Sequence, residues 1–128
     1  MKSVYLLVLG MGLVGGVGMA RAQTSPPSYT QPQAQAGAGL YTQNCAMCHG
    51  NAIAGKTLVK RGANPPISWI FGFMVANMPL NRPGSLSHAQ YEDIMAYALQ
   101  QNGYPAGKQA LDYNQTLTNA HPFVNKPQ

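Results

Sequence analysis

Along the first 22 residues the chain is almost wholly apolar. Met1 and Lys2 open it, positions 3–20 carry no charge and are dominated by Val, Leu, Met and Gly, and Ala20-Arg21-Ala22 closes it with small residues at the positions an export peptidase reads. This pattern predicts a cleavable secretory signal over 1–22, with the mature chain starting at Gln23. The competing reading is a retained membrane anchor, since the run is just long enough to span a bilayer. Five glycines (Gly10, Gly12, Gly15, Gly16, Gly18) dilute it. Positions 23–36 then turn polar, with Gln, Pro, Ser, Thr and Ala and no aliphatic core residue. Pro26, Pro27 and Pro32 read as helix breakers, so 23–36 is expected to be a flexible linker.

From Gly37 onward apolar residues recur at helical spacing. Gly37, Tyr41 and Cys45 fall at i, i+4 and i+8, which predicts a first helix over 37–48. Trp69, Ile70, Phe73, Met74 and Asn77 predict a second over 68–77. Pro79 ends it, because a residue before proline is pushed out of the α region. The third is the clearest. Ser87 is its expected N-cap and Gln90 completes a capping box. Glu92 and Asp93 lie near its positive end. Tyr91, Ile94, Met95 and Ala98 form one apolar stripe with Tyr97 beside it, and Gly103 is the expected stop. No stretch alternates apolar and polar residues long enough for a strand. Residues 50–66 and 79–86 read as loop from their Gly, Pro and Asn content. The chain is therefore expected to be all-α, with three main short helices and long loops around a thin core that something else must fill.

Composition narrows the functional classes. Hydrophobic residues make up 45% of the chain but charged residues only 9%, against about 25% in an average protein. The formal net charge is +5, and without Lys2 and Arg21 six basic residues remain against three acidic, or +3. That excludes a highly charged disordered chain and is too weak for a dedicated nucleic-acid binder. Glu92, Asp93 and Asp112 are the only acids, so carboxylate chemistry has little material. No Ser/His/Asp arrangement is visible either. No catalytic residue is expected.

Cys45-Ala46-Met47-Cys48-His49 carries the decisive chemistry. C-x-x-C-H is the pattern for covalent haem attachment. Two thiols three positions apart on one helical turn can each add to a haem vinyl group, and the next residue can offer a ring nitrogen to the iron. The haem then becomes the missing core. A thioredoxin-type C-x-x-C needs a βαβ context that is absent here. A structural zinc site needs four ligands, and His88 and His121, the other histidines, have no paired-ligand spacing. A plain disulfide between Cys45 and Cys48 is the remaining alternative.

With these residues in view, the chain resembles a class I c-type cytochrome of the exported bacterial kind, over positions 37–107. Gly37-x3-Tyr41-x3-Cys45 resembles that family's first helix, where a glycine admits the last helix. Ile94 and Tyr97 resemble the apolar and aromatic pair that meets it. The resemblance implies a cytochrome c fold wrapped around one covalently attached haem c, with a C-terminal extension over 108–128 that wraps the domain or docks a partner.

The sixth position on the iron calls for a further ligand. Of the mature methionines, Met47 lies inside the attachment motif, and Met74 and Met95 sit on helix faces where core filling is the usual role. Met78 stands between a helix end and Pro79, where a side chain can turn inward. Met78-Pro79 also resembles the family's axial Met-Pro. Met74, His88 or an open site are the alternatives. By the same resemblance, the backbone carbonyl of Pro65 or Pro66 is the expected acceptor for the second N–H of His49. Trp69 and Arg82 are candidates for a haem propionate, against a buried aromatic and a solvated charge. Lys56, Lys60 and Arg61 form the one basic cluster, either a solvated loop or a patch for an acidic partner.

Met78-Pro79, Pro83-Gly84, Ser85-Leu86-Ser87, Tyr91, Ala96-Tyr97, Leu99 and the run from Asn102 through Gly107 resemble small cytochromes that accompany periplasmic dehydrogenases, quinoprotein dehydrogenases included. The implied role is a periplasmic single-electron carrier between such a dehydrogenase and a terminal oxidase or another cytochrome, as a monomer or complex subunit. The implied alternatives are a haem-bearing relay subunit of a larger dehydrogenase or oxidase complex, and a haem enzyme or gas sensor with an open sixth site. A membrane is implied only if the leader is retained.

Overall fold

The computed structural model describes residues 27–50, 53 and 62–125. The leader over 1–22 and the basic cluster Lys56, Lys60 and Arg61 lie outside the described residues. Among the described residues five helices follow one another: α1 (Gln31–Asn44), α2 (Ala46–His49), α3 (Ile67–Asn77), α4 (His88–Gln101) and α5 (Tyr113–Leu117). Among the described residues there is no strand, only an isolated antiparallel bridge between Pro66 and Pro122. The all-α expectation stands.

α1 starts six residues before the expected position, so the linker expected over 23–36 is in part helix. Thr30 is the N-cap, and its hydroxyl accepts from the Gln33 amide at 3.4 Å while Gln33 Oε1 accepts from the Thr30 amide at 3.3 Å. That reciprocal pair satisfies two donors that a helix start otherwise leaves open. Pro32 sits in the first turn, where its missing N–H costs nothing. Tyr29, just before the cap, is buried, and its hydroxyl donates to the Tyr104 carbonyl at 2.6 Å. α1 also stops earlier than expected. Its hydrogen-bond ladder closes on Cys45, whose φ of −126° lies off the helix, and α2 restarts with the attachment motif.

α4 matches its expectation closely. Ser87 and Gln90 form the capping box in both directions, at 3.3 and 2.9 Å. Tyr91, Ile94, Met95 and Ala98 are all buried, joined by Ala96 and Leu99. At the other end the Tyr104 amide reaches the Leu99 carbonyl and the Gly103 amide the Gln100 carbonyl, with Gly103 at φ +85°. This is a Schellman closure, for which glycine pays no steric penalty.

α1 and α4 make the main helix crossing. Tyr41 meets Tyr97 there, with ring centroids 5.7 Å apart. α3 packs through Ile67 and Phe71, which are buried; Trp69 and Phe73 are 56% and 48% exposed and stack on each other at 5.6 Å. The reading of Trp69 as a buried aromatic is thereby corrected: the buried face of α3 lies on the opposite side of the helix.

The tail over 108–125 is part of the core. Leu111, Thr116, Phe123 and Val124 are buried. It also caps α3, since the Ile67 amide donates to the His121 carbonyl at 2.8 Å and the Ser68 amide to the Asn119 carbonyl at 3.0 Å. Pro66, the N-cap, has no side-chain group to do this. Gln33 binds both backbone groups of Leu111, accepting from its amide at 2.7 Å and donating to its carbonyl at 3.2 Å. The first turn of α1 and the tail are thus fastened together.

Candidate functional site

Cys48 and His49 lie on the short helix α2, and Cys45 is its N-cap. The Cys48 and His49 amides both donate to the Cys45 carbonyl, at 3.1 and 2.9 Å. Gly50 then reverses the chain at φ +53°, a conformation that favours glycine. The Tyr41 hydroxyl donates to the Gly50 carbonyl at 2.9 Å, so the residue after His49 is anchored to α1. Both thiols are free, and no disulfide joins them. Cys48 and His49 are exposed and Cys45 half-buried, its thiol pushed up by burial. Among the described residues no three His, Cys, Asp or Glu side chains converge on a metal-sized centre.

Met78 is the residue at which α3 ends. Its amide closes the last helical bond to the Met74 carbonyl at 2.9 Å, its own φ and ψ are extended, and its side chain is half-buried. Its carbonyl accepts from the Tyr91 hydroxyl at 2.6 Å. The following Pro79 is buried. The alternatives to Met78 go elsewhere. Met95 is fully buried in the core, Met74 packs against it, and Met47 is 94% exposed. The His88 ring lies flat on Tyr113, 3.7 Å between centroids, on the α4–α5 side. Of the two proline carbonyls, that of Pro66 accepts from Trp69 and Ile70 within α3, and that of Pro65 accepts from Phe123.

The residues fit a haem. Two free thiols one helical turn apart, an adjoining imidazole and a separate thioether are the donor set it needs. The large apolar side chains left exposed among the described residues are Met47, Trp69, Phe73, Leu80 and Leu117. All but Leu117 lie on the attachment motif, on α3 or just beyond Met78. Of these, Trp69 and Phe73 stack on each other into one exposed apolar surface, of the kind a large flat macrocycle would cover.

The helical fold, the α1–α4 crossing through Gly37 and Tyr41, and the C-x-x-C-H helix define a class I c-type cytochrome domain. The family model described as cytochrome c oxidase, cbb3-type, subunit III matches residues 32–97, from the start of α1 to Tyr97 in α4, and the chain belongs to that family. It is an electron-transfer haem protein whose cofactor is covalently attached haem c with its iron. No curated protein and no solved structure matches the chain.

The sequence pointed to Cys45, Cys48, His49 and Met78 but missed the two tyrosine hydroxyls that hold their segments. Tyr41 and Tyr91 read as packing aromatics because their ring positions explain them. The signal that a buried phenol needs a hydrogen-bond partner was present, without its address.

Proposed function

We propose that the chain is a periplasmic mono-haem electron carrier. Cys45 and Cys48 form the two thioethers, His49 gives an imidazole nitrogen to the iron, and Met78 gives a thioether sulfur from the other side. The bound haem supplies one-electron redox chemistry, and the residues set its terms. Methionine with histidine raises the reduction potential. With both axial places taken by protein side chains, no place is left for oxygen or peroxide, which favours a carrier over an enzyme or gas sensor. Electrons enter from a periplasmic dehydrogenase and leave to a terminal oxidase or another cytochrome.

The observation that carries this reading is the presentation of Met78. Its backbone is bonded on both sides, to α3 and to Tyr91, at the end of a helix, and its side chain is half-buried. The second reading, a haem-bearing relay subunit of a larger complex, is favoured by the family itself, whose description is that of an oxidase subunit. Among the described residues no helix is long and apolar enough to cross a membrane.

Absorption spectroscopy on protein matured in the periplasm tests the carrier. The spectrum of the reduced parent does not change under carbon monoxide, whereas reduced Met78→Ala is high-spin and binds it. Carbon monoxide binding by the parent would instead establish an open site. Co-purification with a large oxidase or dehydrogenase subunit decides for the relay.

A further inference from the structure

Tyr91 lies one turn into α4, and its ring is 1% exposed. The capping box of Ser87 and Gln90 fixes the start of that helix, and the Tyr91 amide makes an early bond of its ladder, to the Ser87 carbonyl at 3.1 Å. Ring and backbone are therefore both held. The one polar group on the ring is spent on a single acceptor, the carbonyl of Met78, at 2.6 Å. A buried hydroxyl aimed at a backbone carbonyl is not needed to pack a core, where phenylalanine would serve.

What lies at the other end of that bond gives it meaning. The Met78 amide is tied to α3 and its carbonyl to α4, so its main chain is clamped between two helices while its side chain stays half-buried. A thioether is a weak ligand and leaves iron readily when its backbone can move away. An outside ligand needs room on that side of the iron, and a Met78 segment held by Tyr91 yields that room less readily than a free one.

We propose that Tyr91 is the positioning residue of the sixth ligand: by holding the Met78 carbonyl, its hydroxyl restrains the thioether at the iron and sets how well outside ligands compete. This rests on the reading of Met78 as axial ligand.

Imidazole titration of the ferric holoprotein, followed by absorbance, tests it with three variants. Tyr91→Phe keeps the ring and removes the bond; imidazole then binds about three- to tenfold more tightly, the worth of one neutral hydrogen bond. Tyr29→Phe removes a matching bond remote from Met78, the 2.6 Å hydroxyl contact to the Tyr104 carbonyl, and leaves imidazole affinity as in the parent. Met78→Ala binds imidazole far more tightly than either. An unchanged affinity in Tyr91→Phe, or an equal rise in Tyr29→Phe, overturns the positioning role while Met78 keeps its place. An unchanged affinity in Met78→Ala removes the axial assignment, and the role of Tyr91 falls with it.

Discussion

A Cβ added to Gly37 would stand 1.8 Å from the carbonyl oxygen of Asp93. α1 and α4 therefore touch backbone to backbone, and no side chain fits between them. The obstacle is a carbonyl inside a helix rather than the end of a flexible side chain, so nothing can swing aside. Gly37→Ala should force the crossing apart and cost about 3 kcal/mol or more, at the upper end of overpacking effects. Denaturant unfolding of the holoprotein checks this. Gly39→Ala is the control, since an added Cβ there meets nothing within 4 Å. It should be neutral or slightly stabilising.

Phe123→Ala should cost about 3–5 kcal/mol although it lies far outside the motif region. Phe123 is buried, and its amide holds the Pro65 carbonyl at 2.9 Å just before α3. Thermal or denaturant unfolding measures the loss. A chain ending at residue 107 should fail to fold stably, because it lacks Leu111, Val124 and the carbonyls that cap α3. Full stability in that truncation would show that the tail is an appendage.

Gln33→Ala should cost about 1–3 kcal/mol, because it breaks the Thr30 capping box and both bonds to Leu111 at once. Gln33→Glu separates the contributions. A carboxylate keeps the acceptor for the Thr30 and Leu111 amides but loses the donor to the Leu111 carbonyl, so its cost should be smaller. Equal costs for the two variants would contradict this division.

Asp93 gives the fold a defined pH dependence. Burial raises its carboxyl above the ordinary 3.8. The folded state therefore holds this proton more tightly than the unfolded state does. The favourable contribution is complete below the unfolded value and is lost as pH rises through the folded one. Asp93→Asn should flatten the stability profile from pH 3.8 upward to the raised value and leave the protein slightly more stable at neutral pH. Unfolding curves taken across that range check it. A variant less stable than the parent at neutral pH would contradict it.

The sequence was legible where one local rule acted alone. α4 reads directly from its capping box, its stripe and Gly103. Gly37 was readable as a close-approach residue through the resemblance of Gly37-x3-Tyr41-x3-Cys45 to the family's first helix. The start of α1 carried the same kind of signal, Thr30 and Gln33 around Pro32. It was hidden because proline reads as a breaker unless the cap before it is noticed, and because Tyr29 stands alone among polar residues. The tail was opaque for a different reason. Leu111, Thr116, Phe123 and Val124 follow no period, and their burial comes from irregular chain laid across α3 and α4. On α3 nearly every position is apolar, so periodicity could not say which face was buried. Helical spacing marked Trp69, Ile70, Phe73 and Met74 as a helix without fixing its inner face, and packing chose Ile67 and Phe71.

The candidate site divides in the same way. The proposed thiols and imidazole come from the local C-x-x-C-H pattern, and the proposed thioether from a helix-end methionine before Pro79 that resembles the family's axial Met-Pro. The hydroxyls of Tyr41 and Tyr91 act across the fold, over 9 and 13 positions respectively, and only three-dimensional packing reveals their acceptors.

Intact-mass measurement of the protein exported from a strain that assembles c-type haem, taken under denaturing conditions, goes most directly to the thiol attachment. The expected result is the mature chain plus one haem that denaturation does not remove, with the added mass on the peptide containing Cys45 and Cys48. In Cys45→Ser/Cys48→Ser it should be absent. A colourless parent, or haem that is released on unfolding, would contradict the attachment.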